Sequence, residues 1–169
     1  MNNIADHAID LICTDLPFGT TNCSRDIVIS FDELWVQYKR VIKSNGCILL
    51  FGQEPFSSFV HMSNLDWYRY DWYWQKEKPT NIFQLKRRPG KTIETISVFY
   101  AEQCYYNPQM NIHQGALVRN KPKGNHSTVY AGNTKTITAY EDDGYRYPSQ
   151  LISMNREKMV MQFIKLKSR

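Results

Sequence analysis

The sequence predicts an α/β fold, a parallel sheet covered by helices, on three observations. Two short apolar runs, residues 9–14 and 47–51, each end at turn-forming residues and read as buried strands. Between them, Phe31, Leu34, Trp35, Tyr38, Val41 and Ile42 share one face at the 3.6-residue spacing of an amphipathic helix. The opening order is therefore strand, loop, helix, strand, helix, which is how parallel sheets with covering helices are built. In such sheets ligands bind beyond the carboxyl ends of the strands.

Each element has a local reason. Residues 9–14 run into Asp15, Pro17 and Gly19, which stop a strand. The helix is expected over residues 31–43, with Ser30 and Glu33 as a capping box and Asn45-Gly46 as its stop. Gly52 breaks the second strand, and a short helix is expected over 55–62, since proline is tolerated in a first turn. Residues 66–75 and 93–100 are rich in aromatic and β-branched side chains and read as strands. Residues 76–91 contain Pro79, Pro89 and Gly90 and read as an exposed loop. From 102 to about 146 the chain is polar and weakly periodic, which predicts irregular structure. The tail from 155 has a helical look, with Met159, Phe163 and Leu166 near one face.

Composition narrows the function classes. The chain has 169 residues, enough for one domain, and 42% are hydrophobic, enough for a packed core. The four cysteines, Cys13, Cys23, Cys47 and Cys104, contain no C-x-x-C pair, and the four histidines are scattered, so no metal site is expected. The cysteines read as reduced thiols of a cytoplasmic protein, because no secretory signal precedes them. The longest apolar run is far too short to span a membrane. Formal charge is +5, a hint of an anionic partner.

That charge is concentrated. Lys76, Lys78, Lys86, Arg87, Arg88 and Lys91, with Glu77, give residues 75–91 a charge of +5, so the rest of the chain sums to zero. A patch of this kind beside Trp72, Tyr73 and Trp74 suits a phosphate backbone. It also suits a solvated loop whose lysines face water.

The segment Asp15-Leu16-Pro17-Phe18-Gly19-Thr20-Thr21 is the most informative. Pro17 fixes one torsion and Gly19 permits a sharp turn. A stiff loop would hold a carboxylate and an aromatic face side by side, which suits a planar ligand with an exocyclic amino group. On spacing alone it reads first as a tight turn with a capping Asp and a core Phe.

This segment resembles the D-P-P-Y motif of DNA N6-adenine and N4-cytosine methyltransferases in its D-L-P-Y-G-T-T form, with Leu16 for the first proline and Phe18 for the tyrosine. Further stretches are similar to phage-like and bacterial members: L-W-x-Q-Y-K-R-V-I-K, N-G, L-F-G and P-F between residues 31 and 56, W-Y-W-x-K, the basic loop with Pro79-Thr80, E-x-I-x-V-F-Y at 94–100, and Arg146-Tyr147-Pro148-Ser149. The resemblance covers roughly residues 4–152. It implies part of a Rossmann-like S-adenosylmethionine-dependent methyltransferase sheet with an irregular target-recognition insertion. Residues 1–101 would be the catalytic-side segment, 102–146 the target-recognition region and 147–169 a divergent tail. Methyl transfer from S-adenosylmethionine to an adenine or cytosine amino group of double-stranded DNA is implied, in a restriction-modification or phage setting. Asp15, Leu16, Pro17 and Phe18 would be catalytic, with Asp15 and Pro17 also facing the cofactor. Lys76, Lys78, Lys86, Arg87, Arg88 and Lys91 would hold the DNA.

The sequence departs from the family after R-Y-P. No H-P-T-Q-K-P segment and no F-x-G-x-G loop follow, and none of the eight glycines forms a G-x-G. Ile93 stands where many relatives have His. The chain is therefore expected to be a truncated or frame-shifted copy lacking the cofactor half, to bind S-adenosylmethionine weakly or not at all, and to be a DNA-binding remnant or to need a second polypeptide.

Overall fold

The structure is a computed structural model that describes residues 1, 3–20, 24, 26–112 and 143–153. It divides into two compact units, Met1–Asn107 with Ser149–Arg169, and Pro108–Pro148. The first holds β1 (Ile9–Asp15), α1 (Phe31–Val41), β2 (Ile42–Gly52), α2 (Phe56–Ser63), β3 (Tyr68–Gln75), a 3-10 turn at Ile82–Gln84, β4 (Ile93–Phe99) and, after the second unit in sequence, β7 (Leu151–Ser153). The second holds a short antiparallel pair, β5 (Asn111–Ile112) and β6 (Tyr145–Arg146). Residues 113–142 of the expected irregular region, and the tail from 154, lie outside the described residues.

The sheet order is β1-β2-β4-β3-β7. β1 and β2 are parallel, joined by a crossover through α1. β4 is antiparallel to both β2 and β3, and β3 and β7 are parallel. Four strands thus run one way and β4 alone runs against them, so the expected parallel sheet carries one reversed strand. The reason is the connection. A parallel neighbour needs a crossover of a dozen or more residues, usually helical. The chain from β3 to β4 instead closes on itself like a hairpin neck: Lys76 N–H donates to the Thr92 carbonyl at 2.7 Å and Thr80 N–H to the Lys91 carbonyl at 3.1 Å.

Alternation along the strands gives the sheet two apolar faces. On one, Ile48, Leu50 and Phe99 meet Leu34, Trp35 and Tyr38 of α1 and Phe56 and Val60 of α2. On the other, Leu49, Ile96 and Val98 pack with Trp74 and Tyr100. Two local expectations fail. α1 ends at Val41 rather than 43, because Ile42 is already extended and pairs with Ile9 as the first residue of β2. Asn45-Gly46 is therefore no helix stop. The register jumps from Ile9↔Ile42 to Leu11↔Cys47, so residues 43–46 bulge out, and Gly46 lies where a Cβ would sit 2.6 Å from the Ile42 side chain. The capping box is also absent, since Ser30 makes no side-chain cap bond.

Phe99, 0% exposed, joins the sheet to α1 through an aromatic contact with Trp35 at 5.0 Å. Phe99→Ala is expected to lower the unfolding free energy by about 3–5 kcal/mol in urea titration. Val36→Ala, on the outer face of α1, should change it by less than about 0.5 kcal/mol.

Candidate functional site

The segment picked out by the sequence lies at the carboxyl end of β1, as expected. Asp15 is the last residue of the strand and pairs with Phe51 of β2. Its side chain is exposed. Leu16 turns the other way: it is 8% exposed and packs in the helix-covered core with Leu34, Trp35 and Phe56. Only its main-chain carbonyl can serve a ligand, and its side chain is an anchor. Pro17 and Phe18 are half-buried. The Phe18 ring lies 4.9 Å from Phe56 at 37°, and Phe31 lies 5.8 Å from Phe56.

The turn beyond Phe18 is held by a residue that the motif did not flag. Gly19 has φ +67°, a conformation L side chains rarely adopt. Asp26 accepts hydrogen bonds from Gly19 N–H at 2.8 Å and Thr20 N–H at 2.9 Å, one on each carboxylate oxygen. An added Cβ on Gly19 would also stand 2.8 Å from Val28. Asp26 thus fixes the loop by charge-assisted bonds. Its only sequence signal is being an Asp a few residues past a glycine turn, which is too common to read.

Phe18, Gly19, Val28, Phe31, Phe56 and Phe59 line a cleft of about 420 Å³ beside this loop. The cleft is nearly all apolar and aromatic, so it can take a planar ring. At its mouth the start of α2 is set by Glu54, which accepts from Ser57 Oγ at 3.0 Å and Ser58 Oγ at 2.6 Å. Thr20 carries the one hydroxyl in the lining. S-adenosylmethionine has a ring, a ribose diol, a carboxylate and an ammonium. The cleft fits the ring and offers no charged partner for the rest. No G-x-G turn exists to bring backbone close to it.

One further polar cluster is structural. His61 Nε2 lies 3.1 Å from Asp71 Oδ1 and 2.7 Å from Ser97 Oγ, and Tyr68 donates to Asp71 Oδ2 at 3.0 Å. One ring nitrogen serves both groups, whereas a nucleophilic triad uses both nitrogens in relay. This network ties α2 to β3 and β4. Among the described residues no group of three His, Cys, Asp or Glu could hold a metal ion.

The basic residues divide. Lys76 is half-buried, ion-paired with Glu94 and set over the Trp74 ring at 5.7 Å. Glu94 also accepts from Gln53 Nε2 at 3.0 Å. Lys76 is therefore part of the loop's neck. Lys78, Lys86, Arg87 and Arg88 are exposed, Lys91 half-buried, and Arg88 bonds to Gln84. At the tip Phe83 is 97% exposed, between exposed Ile82 and Gln84.

No protein-family model matches the chain, and no curated protein matches it. Among solved structures, the PvuII DNA methyltransferase, cytosine-N4-specific, has a TM-score of 0.51 at 13% identity over 91% of this chain and 53% of that one. M1.HpyAVI gives 0.48 at 17% identity over 95% and 62%. The M1.HpyAVI–SAM complex gives 0.43 at 21% over 75% and 54%. The chain thus spans between about half and three fifths of the length of these structures. The likeness to the PvuII structure is one of fold: a mixed α/β sheet of the methyltransferase Rossmann-like kind. No helix of the described residues is long and apolar enough to cross a membrane.

The hydroxyls of Ser58 and Ser57 hold the Glu54 carboxyl below the usual 4.5. A carboxyl lowered in the folded state contributes stability above its unfolded pKa and loses it as pH falls through the folded value. Acid titration followed by NMR should therefore show the Ser57 and Ser58 amides shifting with a midpoint below 4.5, and Glu54→Gln should abolish that step.

Proposed function

We propose that the chain is the substrate-side part of a DNA amino-methyltransferase, acting on adenine N6 or cytosine N4. The observation that carries this reading is the loop at the carboxyl end of β1, where an exposed carboxylate and an aromatic ring at an apolar cleft stand three residues apart on a rigid turn. The sheet that holds the loop supports it, and so does the resemblance of the motif.

A stacked base cannot reach such a loop, so the target is extruded from the duplex. Asp15 and the Leu16 carbonyl accept the two hydrogens of its amino group, and Phe18 stacks on its ring. The amino nitrogen is a poor nucleophile while its lone pair is conjugated with the ring. Hydrogen bonds to both of its hydrogens favour the geometry that frees the pair. Catalysis by these residues is thus orientation and electrostatic preorganisation. No nucleophilic cysteine is needed.

S-adenosylmethionine supplies the methyl group in this reading. Asp15 and Pro17 are the chain's contribution beside it. The ribose and methionine part need residues that the cleft does not offer. They come from a further segment or a second polypeptide, for which β1, at the end of the strand order, is the place to pair. Lys78, Lys86, Arg87, Arg88 and Lys91 hold phosphates of double-stranded DNA, with Lys76 bracing the neck. A second reading, a DNA-binding module without catalysis, is favoured by the same lack of a full cofactor cradle among the described residues.

Labelled methyl transfer to unmethylated genomic DNA separates the two. With the cofactor-binding part present, Asp15→Ala should lower transfer at least a hundredfold, a loss typical of removing a group that acts in the transition state. Equal transfer by the mutant overturns the role of Asp15. No transfer by a folded wild type leaves the second reading. Replacing Lys86, Arg87 and Arg88 together with Gln should weaken duplex binding and lower the slope of log affinity against log salt by about 2–3 in fluorescence anisotropy.

A further inference from the structure

We propose that Cys47 and Cys104 form a redox-active dithiol, which a low-molecular-weight disulfide such as oxidised glutathione converts to an intramolecular Cys47–Cys104 disulfide. The site is separate from the β1 loop and holds whether or not the chain takes part in methyl transfer.

The fold brings the two cysteines together from 57 positions apart in the sequence. β2 and β4 are antiparallel with Ile48 opposite Phe99, so the chain leaving β4 passes back beside the start of β2. It is pinned there. Glu102 N–H donates to the Ser44 carbonyl at 3.3 Å, and Arg69 donates to the Ala101 carbonyl at 3.0 Å. Tyr100 donates its hydroxyl to Gln103 at 3.2 Å, and the Gln103 amide donates to the Cys104 carbonyl at 3.1 Å. Cys47 and Cys104 then pack against the same apolar cluster, near enough that each shifts the ionisation of the other. Two cysteines that a pinned backbone brings to one cluster are placed to bridge with little movement.

The two thiols differ in chemistry. The neighbouring Cys47 holds the Cys104 thiol below its usual value. The same neighbourhood, with burial, pushes Cys47 up. Of the two, Cys104 is the one shifted toward the thiolate, the form that attacks a disulfide. Cys104 is the attacking sulfur and Cys47 the resolving one. In the first step the Cys104 thiolate forms a bond to one sulfur of the small disulfide, the disulfide bond breaks, and one small thiolate leaves. In the second, Cys47 passes its proton to the departing group and bonds to Cys104, and the second small thiol leaves. Two protein thiols are oxidised by two electrons and one small disulfide is reduced to two thiols. The product links the stretch after β4 covalently to β2.

The test uses the full chain, which has four cysteines. After incubation with oxidised glutathione, thiol titration under denaturing conditions should fall from four to two, intact mass should drop by about 2 Da, and peptide mapping should give one linked pair, Cys47 with Cys104. Dithiothreitol should restore all four. Cys47→Ser should instead stop at a mixed disulfide of glutathione on Cys104, which requires only that this variant keep its native circular dichroism. The proposal is overturned if the thiol count stays at four, if the linked pair involves Cys13 or Cys23, if the link joins two chains, or if wild-type protein accumulates a stable mixed disulfide without closing.

Discussion

The placement of the candidate site depends on the burial of one side chain, Leu16. The residue follows the last position of β1, between exposed Asp15 and half-buried Pro17. Its side chain enters the core formed by α1, α2 and the central strands. Asp15 is thereby turned outward, and Phe18 is brought over Phe56 two positions further on. Burying a leucine contributes about 1.5–3 kcal/mol. The same contact that stabilises the sheet end holds a carboxylate and a ring in fixed relation. A polar residue at this position would lose both together.

The sheet carries this anchor because its two faces are filled differently. One is covered by α1 and α2, whose apolar stripes supply Trp35, Tyr38, Phe56 and Val60. The other is filled by the strands' own aromatic and aliphatic side chains with Tyr100 and Cys104. The crossover from β1 to β2 is what makes the parallel pair, and the reversed strand β4 locks it from the other side. β4 is the most buried strand, with Ile96, Ser97, Val98 and Phe99 all at 1% exposure or less. The reversal also sends the chain back along β2, which is how two cysteines remote in sequence come to one apolar cluster.

Much of this was legible in the sequence. Strand and helix periods placed β1, α1, α2, β3 and β4 to within a few residues, because each buries a continuous stripe or face. The D-L-P-F-G segment fell at a strand end because proline and glycine cannot continue a ladder. Three features were not legible. The direction of β4 depends on whether residues 76–92 fold back or cross over, and backbone bonds at its neck decide that. The tie from Asp26 to Gly19 and Thr20 is a contact between loop residues with no periodicity behind it. The early end of α1 is set by pairing of Ile42 with Ile9, a long-range contact that overrides the local helix stop at Asn45-Gly46. Lys76 shows the limit of charge counting: one lysine of the basic window is spent on Glu94.

The central claim is that the loop after β1 recognises a planar ring through its exocyclic amino group. The most direct measurement is NMR titration of the chain with short single-stranded oligonucleotides, comparing adenine or cytosine with their doubly N-methylated forms. The unmodified bases should shift the amide resonances of Phe18, Gly19 and Thr20. The dimethylated bases, which have no amino hydrogen left for Asp15 and the Leu16 carbonyl to accept, should leave them in place. Equal shifts with both, or shifts confined to residues 78–91, would contradict the account.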